Sequence, residues 1–189
     1  IARAAKSCNT GTVFEIGPGP GGLTRALLSC GAQKMVAIEY DARAVAALQD
    51  LVTASKGALC VVQADALKTP IQSLIADMQL PAPYTIVANL PYNIATPLLT
   101  GWLEDLWKDG NAYAELVLMF QKEVAQRIVA REQTKSYGRL AILSQWLCDA
   151  RILFDVPAAA FTPPPKVTSS IVRLVPKGNR RDDIDFSVM

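Results

Sequence analysis

The chemistry in this chain is concentrated at Asn89-Leu90-Pro91-Tyr92. The Asn89 carboxamide oxygen and the Leu90 carbonyl are both acceptors. Pro91 stiffens the loop, and Tyr92 offers a flat face. Two acceptors beside an aromatic plate suit an exocyclic amino group on a base held by stacking. A second candidate is Gln63-Ala64-Asp65-Ala66, where a carboxylate can take a hydrogen bond from an adenine amino group. An aspartate in such a place also serves as a helix cap. A third is Glu15-Ile16-Gly17-Pro18-Gly19-Pro20-Gly21-Gly22, in which Gly17, Gly19 and Gly22 spell G-x-G-x-x-G. Glu39 follows about 20 residues later, the distance at which an acid meets ribose hydroxyls in dinucleotide-binding folds. The same turn and acid serve NAD and S-adenosylmethionine alike, so these residues alone leave the ligand open. Histidine is absent, which removes the commonest general base, the Ser-His and Cys-His nucleophile systems and most zinc chemistry.

These residues need elements to hold them. Thr12–Ile16 reads as a buried strand running into the glycine turn, with a helix continuing to about Ser29. Lys34–Glu39 and Leu59–Gln63 read as strands, and between them Asp41 caps a helix through Leu51. A looser helical stretch spans Ile71–Met78. Tyr84–Ala88 is a strand ending at Asn89, and Thr96–Lys108 a helix with Pro97 in its first turn. Ala114–Phe120 is a strand, and Gln121–Arg131 a helix in which Glu123 and Arg127 are spaced to pair. Tyr137–Cys148 is helical, Arg151–Phe154 and Ser169–Val175 are strands, and Ile1–Ser7 looks like the tail of a helix. Strands alternating with helices predict an α/β, mostly parallel, doubly wound Rossmann-like sheet. The final two strands add an antiparallel hairpin at one edge. Such a sheet binds its ligand outside the carboxyl ends of its strands, where Glu39, Asp65 and Asn89 all fall.

Hydrophobic residues make up 51% and charged residues 19%, an ordinary globular balance. No apolar run reaches the ~18 residues of a membrane span. Cys8, Cys30, Cys60 and Cys148 are scattered without a C-x-x-C pair, so no zinc site, other metal centre or disulfide framework is expected. A cytoplasmic location is the default. The net charge is only +2, yet Gln121–Arg181 holds eleven Lys/Arg against four acids. A basic half on a ligand-binding fold is the footprint of a polyanionic partner.

At this point the motifs meet a known family. Glu15–Thr24 resembles the first motif of class I methyltransferases. Asn89-Leu90-Pro91-Tyr92-Asn93-Ile94-Ala95-Thr96-Pro97-Leu98 closely resembles the target-base motif of the KsgA family of ribosomal RNA adenine N6,N6-dimethyltransferases. Phe161-Thr162-Pro163-Pro164-Pro165-Lys166-Val167-Thr168-Ser169 resembles that family's F-x-P-x-P-x-V-x-S segment. The resemblance implies a methyltransferase domain over 1–175, with 176–189 a linker and the start of a truncated helical RNA-binding domain. A motif that the family carries further upstream is missing. It implies S-adenosylmethionine as cofactor, held by Glu15, Gly17 and Gly19 at the methionine end, Glu39 at the ribose, and Asp65 with Ala66 at the adenine. Asn89 also belongs to that set. Asn89 and Leu90 would hold the N6 amino group of the target adenine, with Tyr92 and Phe161 stacked on its faces. The implied partner is ribosomal RNA in the immature small ribosomal subunit, the implied protein a monomer with no metal and no membrane attachment. An NAD-dependent oxidoreductase and a non-catalytic RNA-binding assembly factor are the alternatives.

Overall fold

The computed structural model describes residues 1–161 and 164–177. Seven strands form one sheet in the order β3-β2-β1-β4-β5-β7-β6. They are β1 (Thr12–Ile16), β2 (Met35–Glu39), β3 (Leu59–Gln63), β4 (Tyr84–Asn89), β5 (Glu115–Gln121), β6 (Cys148–Val156) and β7 (Ser169–Pro176). The first five are mutually parallel, and β7 runs antiparallel to both β5 and β6. The mixed α/β fold expected from the alternation is therefore present. The terminal hairpin, however, is inserted last strand first, with β7 against β5 and β6 at the edge. Every residue of β1 is buried, as expected for a central parallel strand covered on both faces.

Helices cover the two faces: α1 (Gly22–Ser29), α2 (Ala42–Ala47), α3 (Gln49–Ala54), α4 (Ile71–Asp77), α5 (Tyr92–Lys108), α6 (Lys122–Ile128) and α7 (Arg139–Leu147). One core layer joins Phe14, Ile38, Ile86, Leu99, Leu103 and Phe120. The opposite layer joins Val13, Leu27, Met35, Val87 and Val117, and includes the N-terminal Ala2 and Ala5. Ile1–Ser7 is not a helix tail; a single 3-10 turn at Ala2–Ala4 is all that forms. Ser7 is instead tied down by Glu115, fully buried on β5, whose carboxylate accepts from the Ser7 N–H at 2.5 Å and from Arg173 Nε at 2.7 Å.

Three local expectations are corrected. Asp41 does cap a helix, accepting from the Arg43 N–H at 2.9 Å, but that helix divides into α2 and α3 at Leu48. Leu48 is fully buried and lies against the glycine turn, where a Cβ on Gly21 would come within 2.6 Å of its Cδ2. Helix α5 begins at Tyr92 rather than Thr96, so Pro97 is its sixth residue and not in its first turn. Pro97 lacks the N–H that would bond the Asn93 carbonyl; both residues are exposed, so water can satisfy that carbonyl. Glu123 and Arg127 form no ion pair among the described residues, consistent with the small worth of exposed pairs.

Gly21 has φ +84 and caps α1. A Gly21→Ala variant combines left-handed backbone strain with pressure on Leu48, and is expected to lose about 1–3 kcal/mol. A lowered urea midpoint with unchanged slope would register it.

Candidate functional site

The strand order reverses between β1 and β4, and this is where an open α/β sheet leaves a crevice at its carboxyl edge. A cavity of about 320 Å³ opens there. Gly17 of the turn after β1, Glu39 ending β2, and Asp65 with Ala66 after β3 all line it, and Pro91, which caps α5, with Asn93 and Ile94 of its first turn form another wall. Four of the site residues expected from sequence are thus brought to one cavity. Glu15, Gly19, Asn89, Leu90, Tyr92 and Phe161 do not line it.

Each lining group is held for a local reason. Gly17 and Gly19 take φ +67 and +53, values open to glycine at little cost, and at Gly17 this lets bare backbone border the cavity. Glu39 stitches the site together: Oε2 accepts from the Gly19 N–H at 3.0 Å and Oε1 from the Asp41 N–H at 2.9 Å. A carboxylate has about four acceptor positions, so both oxygens retain capacity for ligand hydroxyls. Asp65 does cap locally, with Oδ1 accepting from the Leu67 N–H at 3.0 Å, while Oδ2 lies 3.7 Å from Lys68. The exposed side chains of Tyr40 and Leu67, 77% and 49% accessible, also line the cavity. Neither was singled out from sequence. The available signal was an aromatic residue directly after Glu39 and an apolar one two places after Asp65.

Behind the turn lies Glu15, 1% exposed, with neither carboxylate oxygen in a hydrogen bond. Burial pushes its pKa up to about 7; the nearby Thr24 hydroxyl offsets part of that, and the Glu39 carboxylate adds to it. Thr24 Oγ1 is likewise buried, and its approach to Glu15 falls short of standard hydrogen-bond geometry. Two orphaned buried polar groups beneath a glycine turn are uncommon in a packed protein. They suit a ligand that brings donors or positive charge to that turn.

Two residues before Pro91 of the cavity wall, Asn89 ends β4 in register with Met119, exposed and with its carboxamide free of hydrogen bonds among the described residues. Leu90 is 2% exposed, so its buried side chain anchors the backbone that carries its carbonyl. The Tyr92 hydroxyl hydrogen-bonds Ser169 Oγ at 2.8 Å, which ties the start of α5 to the start of β7. Ser169 as a partner for Tyr92 was not foreseen. Phe161 is half-buried against the layer containing Ile171 and Met119, with Leu23 at its margin. Among the described residues no group of three or more His, Cys, Asp or Glu could hold a metal. No helix among them is long and apolar enough to cross a membrane.

A glycine turn after β1, acids ending β2 and following β3, and an Asn-led loop after β4, on a seven-stranded sheet with an antiparallel edge, define a class I methyltransferase-type fold. The family description "Ribosomal RNA adenine dimethylase" matches residues 1–188. The chain belongs to that family. It is 53% identical over 178 residues to ribosomal RNA small subunit methyltransferase A of Bradyrhizobium diazoefficiens, covering 94% of this chain and 61% of that protein. The corresponding protein of Rhodopseudomonas palustris strain BisB18 is 56% identical, with 94% and 60% covered. The chain therefore spans about three fifths of the length of the curated relatives it matches. Among solved structures, a dimethyladenosine transferase from Plasmodium falciparum superposes with TM-score 0.77 at 35% identity, covering 93% of this chain and 59% of that one. The 23S rRNA methyltransferase ErmE superposes with TM-score 0.73 at 27% identity, covering 95% and 66%.

Proposed function

We propose that the protein to which this chain belongs transfers methyl groups from S-adenosylmethionine to N6 of adenines in small-subunit ribosomal RNA, twice on the same nitrogen. The observation that carries this reading is the cavity shared by Gly17, Glu39 and Asp65, one wall of which is the stretch that follows Asn89. Bound there, S-adenosylmethionine supplies an electrophilic methyl group on a sulfonium centre. Gly17 and Gly19 would border its methionine end, Glu39 would accept from its ribose hydroxyls, and Asp65 with Ala66 would meet its adenine. The orphaned Glu15 and Thr24 behind the turn fit a cationic ligand.

The chain's part in the reaction is positioning and electrostatics. The N6 lone pair of adenine is delocalised into the ring. Acceptors at Asn89 and the Leu90 carbonyl would draw the N6–H bonds out of the ring plane and free that lone pair for attack. Tyr92, fixed through Ser169, and Phe161 would hold the ring by stacking. The product ammonium is acidic enough to lose its proton to solvent, so a site without histidine is sufficient. The family membership and the names of the relatives support an RNA substrate; the small subunit, a monomer acting in the cytoplasm and a methyltransferase domain over 1–175 belong to this proposal. The stretch expected to begin a second domain, around Asp182–Phe186, lies outside the described residues.

Calorimetric titration separates the cofactor readings. S-adenosylmethionine is expected to bind with micromolar affinity, and NAD at least ten-fold more weakly. Tighter binding of NAD would overturn the proposal.

A further inference from the structure

The cofactor cavity leaves unexplained the excess of positive charge in the C-terminal half. Part of that charge is organised. A second cavity, of about 400 Å³, lies among α5, α6 and α7 and is lined by Thr96, Thr100, Arg127, Arg139, Leu140 and Leu143. Arg127 comes from α6 and Arg139 from α7, and neither has an ion-pair partner among the described residues. Lys122, at the start of α6, is instead committed to Asp155 at 2.6 Å. Arg131 and Lys135 are exposed on the segment joining α6 to α7, as are Glu132 on that segment and Glu123 on α6. Two guanidinium groups from separate helices beside the Thr96 hydroxyl form a donor-rich concavity, the pattern that receives phosphate oxygens, while the Thr100 hydroxyl donates to the Thr96 carbonyl at 3.1 Å.

Its position gives the cavity a purpose. Tyr92, Thr96 and Thr100 are spaced i, i+4 and i+8 and so share one face of α5. At 1.5 Å per residue, Thr96 and Thr100 lie about 6 and 12 Å along the helix from Tyr92. Asn93 and Ile94, by contrast, line the cofactor cavity. Helix α5 thus presents the cofactor site on one flank and the basic cavity on another, with the target-base loop at its N-terminus.

We infer that Arg127 and Arg139 hold the phosphodiester backbone of the RNA strand next to the target adenine. Resting on the function proposed above, this assigns the basic cavity as the point that sets the strand's register while Asn89–Tyr92 takes the base. Phosphate contacts of this kind position the nucleic acid without reading its sequence.

The test measures binding of the whole protein to a fluorescent single-stranded oligoribonucleotide with one unpaired adenine, between 50 and 300 mM salt on the order of the physiological range. Each phosphate contact to a single strand contributes about 0.7 to the slope of log K against log salt. An Arg127→Gln, Arg139→Gln double variant is expected to lower that slope by about 1.4 and to raise KM for RNA at least ten-fold, with kcat and S-adenosylmethionine affinity within two-fold of wild type. Arg127→Lys with Arg139→Lys keeps both charges and should keep the slope, which also serves should the glutamine variant fail to fold. Lys6→Gln, exposed on the N-terminal segment, is the control for loss of a surface charge elsewhere and should change little. An unchanged slope in the glutamine variant, an equal loss in the Lys6 control, or no RNA binding by the wild type would each overturn the assignment. Absent S-adenosylmethionine binding with the slope change intact would instead sink the functional reading and leave the phosphate site standing.

Discussion

Replacing Asn89 by alanine is expected to lower kcat for methyl transfer to small ribosomal subunits lacking the mark by about 10²–10³-fold, the usual cost of removing one preorganised hydrogen-bonding group from a reacting centre. The side chain ends β4, is exposed, and makes no hydrogen bond among the described residues. It is available to a substrate and contributes little to the fold. Stability should therefore change by less than about 0.5 kcal/mol, as for ordinary surface substitutions. Cofactor affinity should fall far less than kcat. In the proposed reaction the carboxamide oxygen acts mainly as N6 becomes tetrahedral, so its loss raises the barrier more than it weakens binding. Transfer of radiolabelled methyl groups, set beside thermal unfolding of the same variant, makes the comparison. A wild-type rate in Asn89→Ala would remove Asn89 from the mechanism.

The second large effect concerns Glu15 and pH. Its carboxyl is buried without a hydrogen bond, and its pKa is pushed up from an ordinary 4.5 to about 7. Between those values the unfolded chain has released the proton while the folded chain retains it. The contribution to stability is complete below pH about 4.5, declines as pH rises through 7, and is level beyond. A shift of this size corresponds to at most about 3–4 kcal/mol, at 1.36 kcal/mol per unit. Glu15→Gln removes the ionisation and keeps the shape. It should flatten this segment of the stability profile and unfold at higher urea concentration than wild type at pH 8. Ligand binding should respond in the opposite sense. Positive charge brought to the glycine turn favours the ionised carboxylate, so S-adenosylmethionine should bind wild type more tightly at pH 8 than at pH 6, and Glu15→Gln should lose that difference. Parallel stability profiles for the two proteins from pH 4.5 to 8 would show that Glu15 does not titrate as described.

Much of this molecule was legible from local pattern. Thr12–Ile16 and Leu59–Gln63 are strands over the residues expected, because short β-branched and apolar runs that closely follow a glycine, Gly11 and Gly57 here, leave the backbone few alternatives. The glycine turn, Glu39 and Asp65 were placed correctly at strand ends, since a doubly wound sheet delivers those ends to one edge. Local pattern misjudged the start of α5: Pro97 looked like an N-terminal signal, but packing of Ala95, Leu98, Leu99 and Trp102 carries the helix through it. Tertiary structure alone decided that β7 lies between β5 and β6. Strand neighbours are chosen by which edges and faces are free after the core has formed, and that information is not local. The same holds for the orphaned carboxyl of Glu15, for the bond from Tyr92 to Ser169, and for the meeting of Arg127 with Arg139 across two helices. Residue types and spacing determined which groups were available for chemistry on an adenine. Packing determined which of them face one another, because contacts between residues far apart in the chain exist only once the sheet and its covering helices have closed around them.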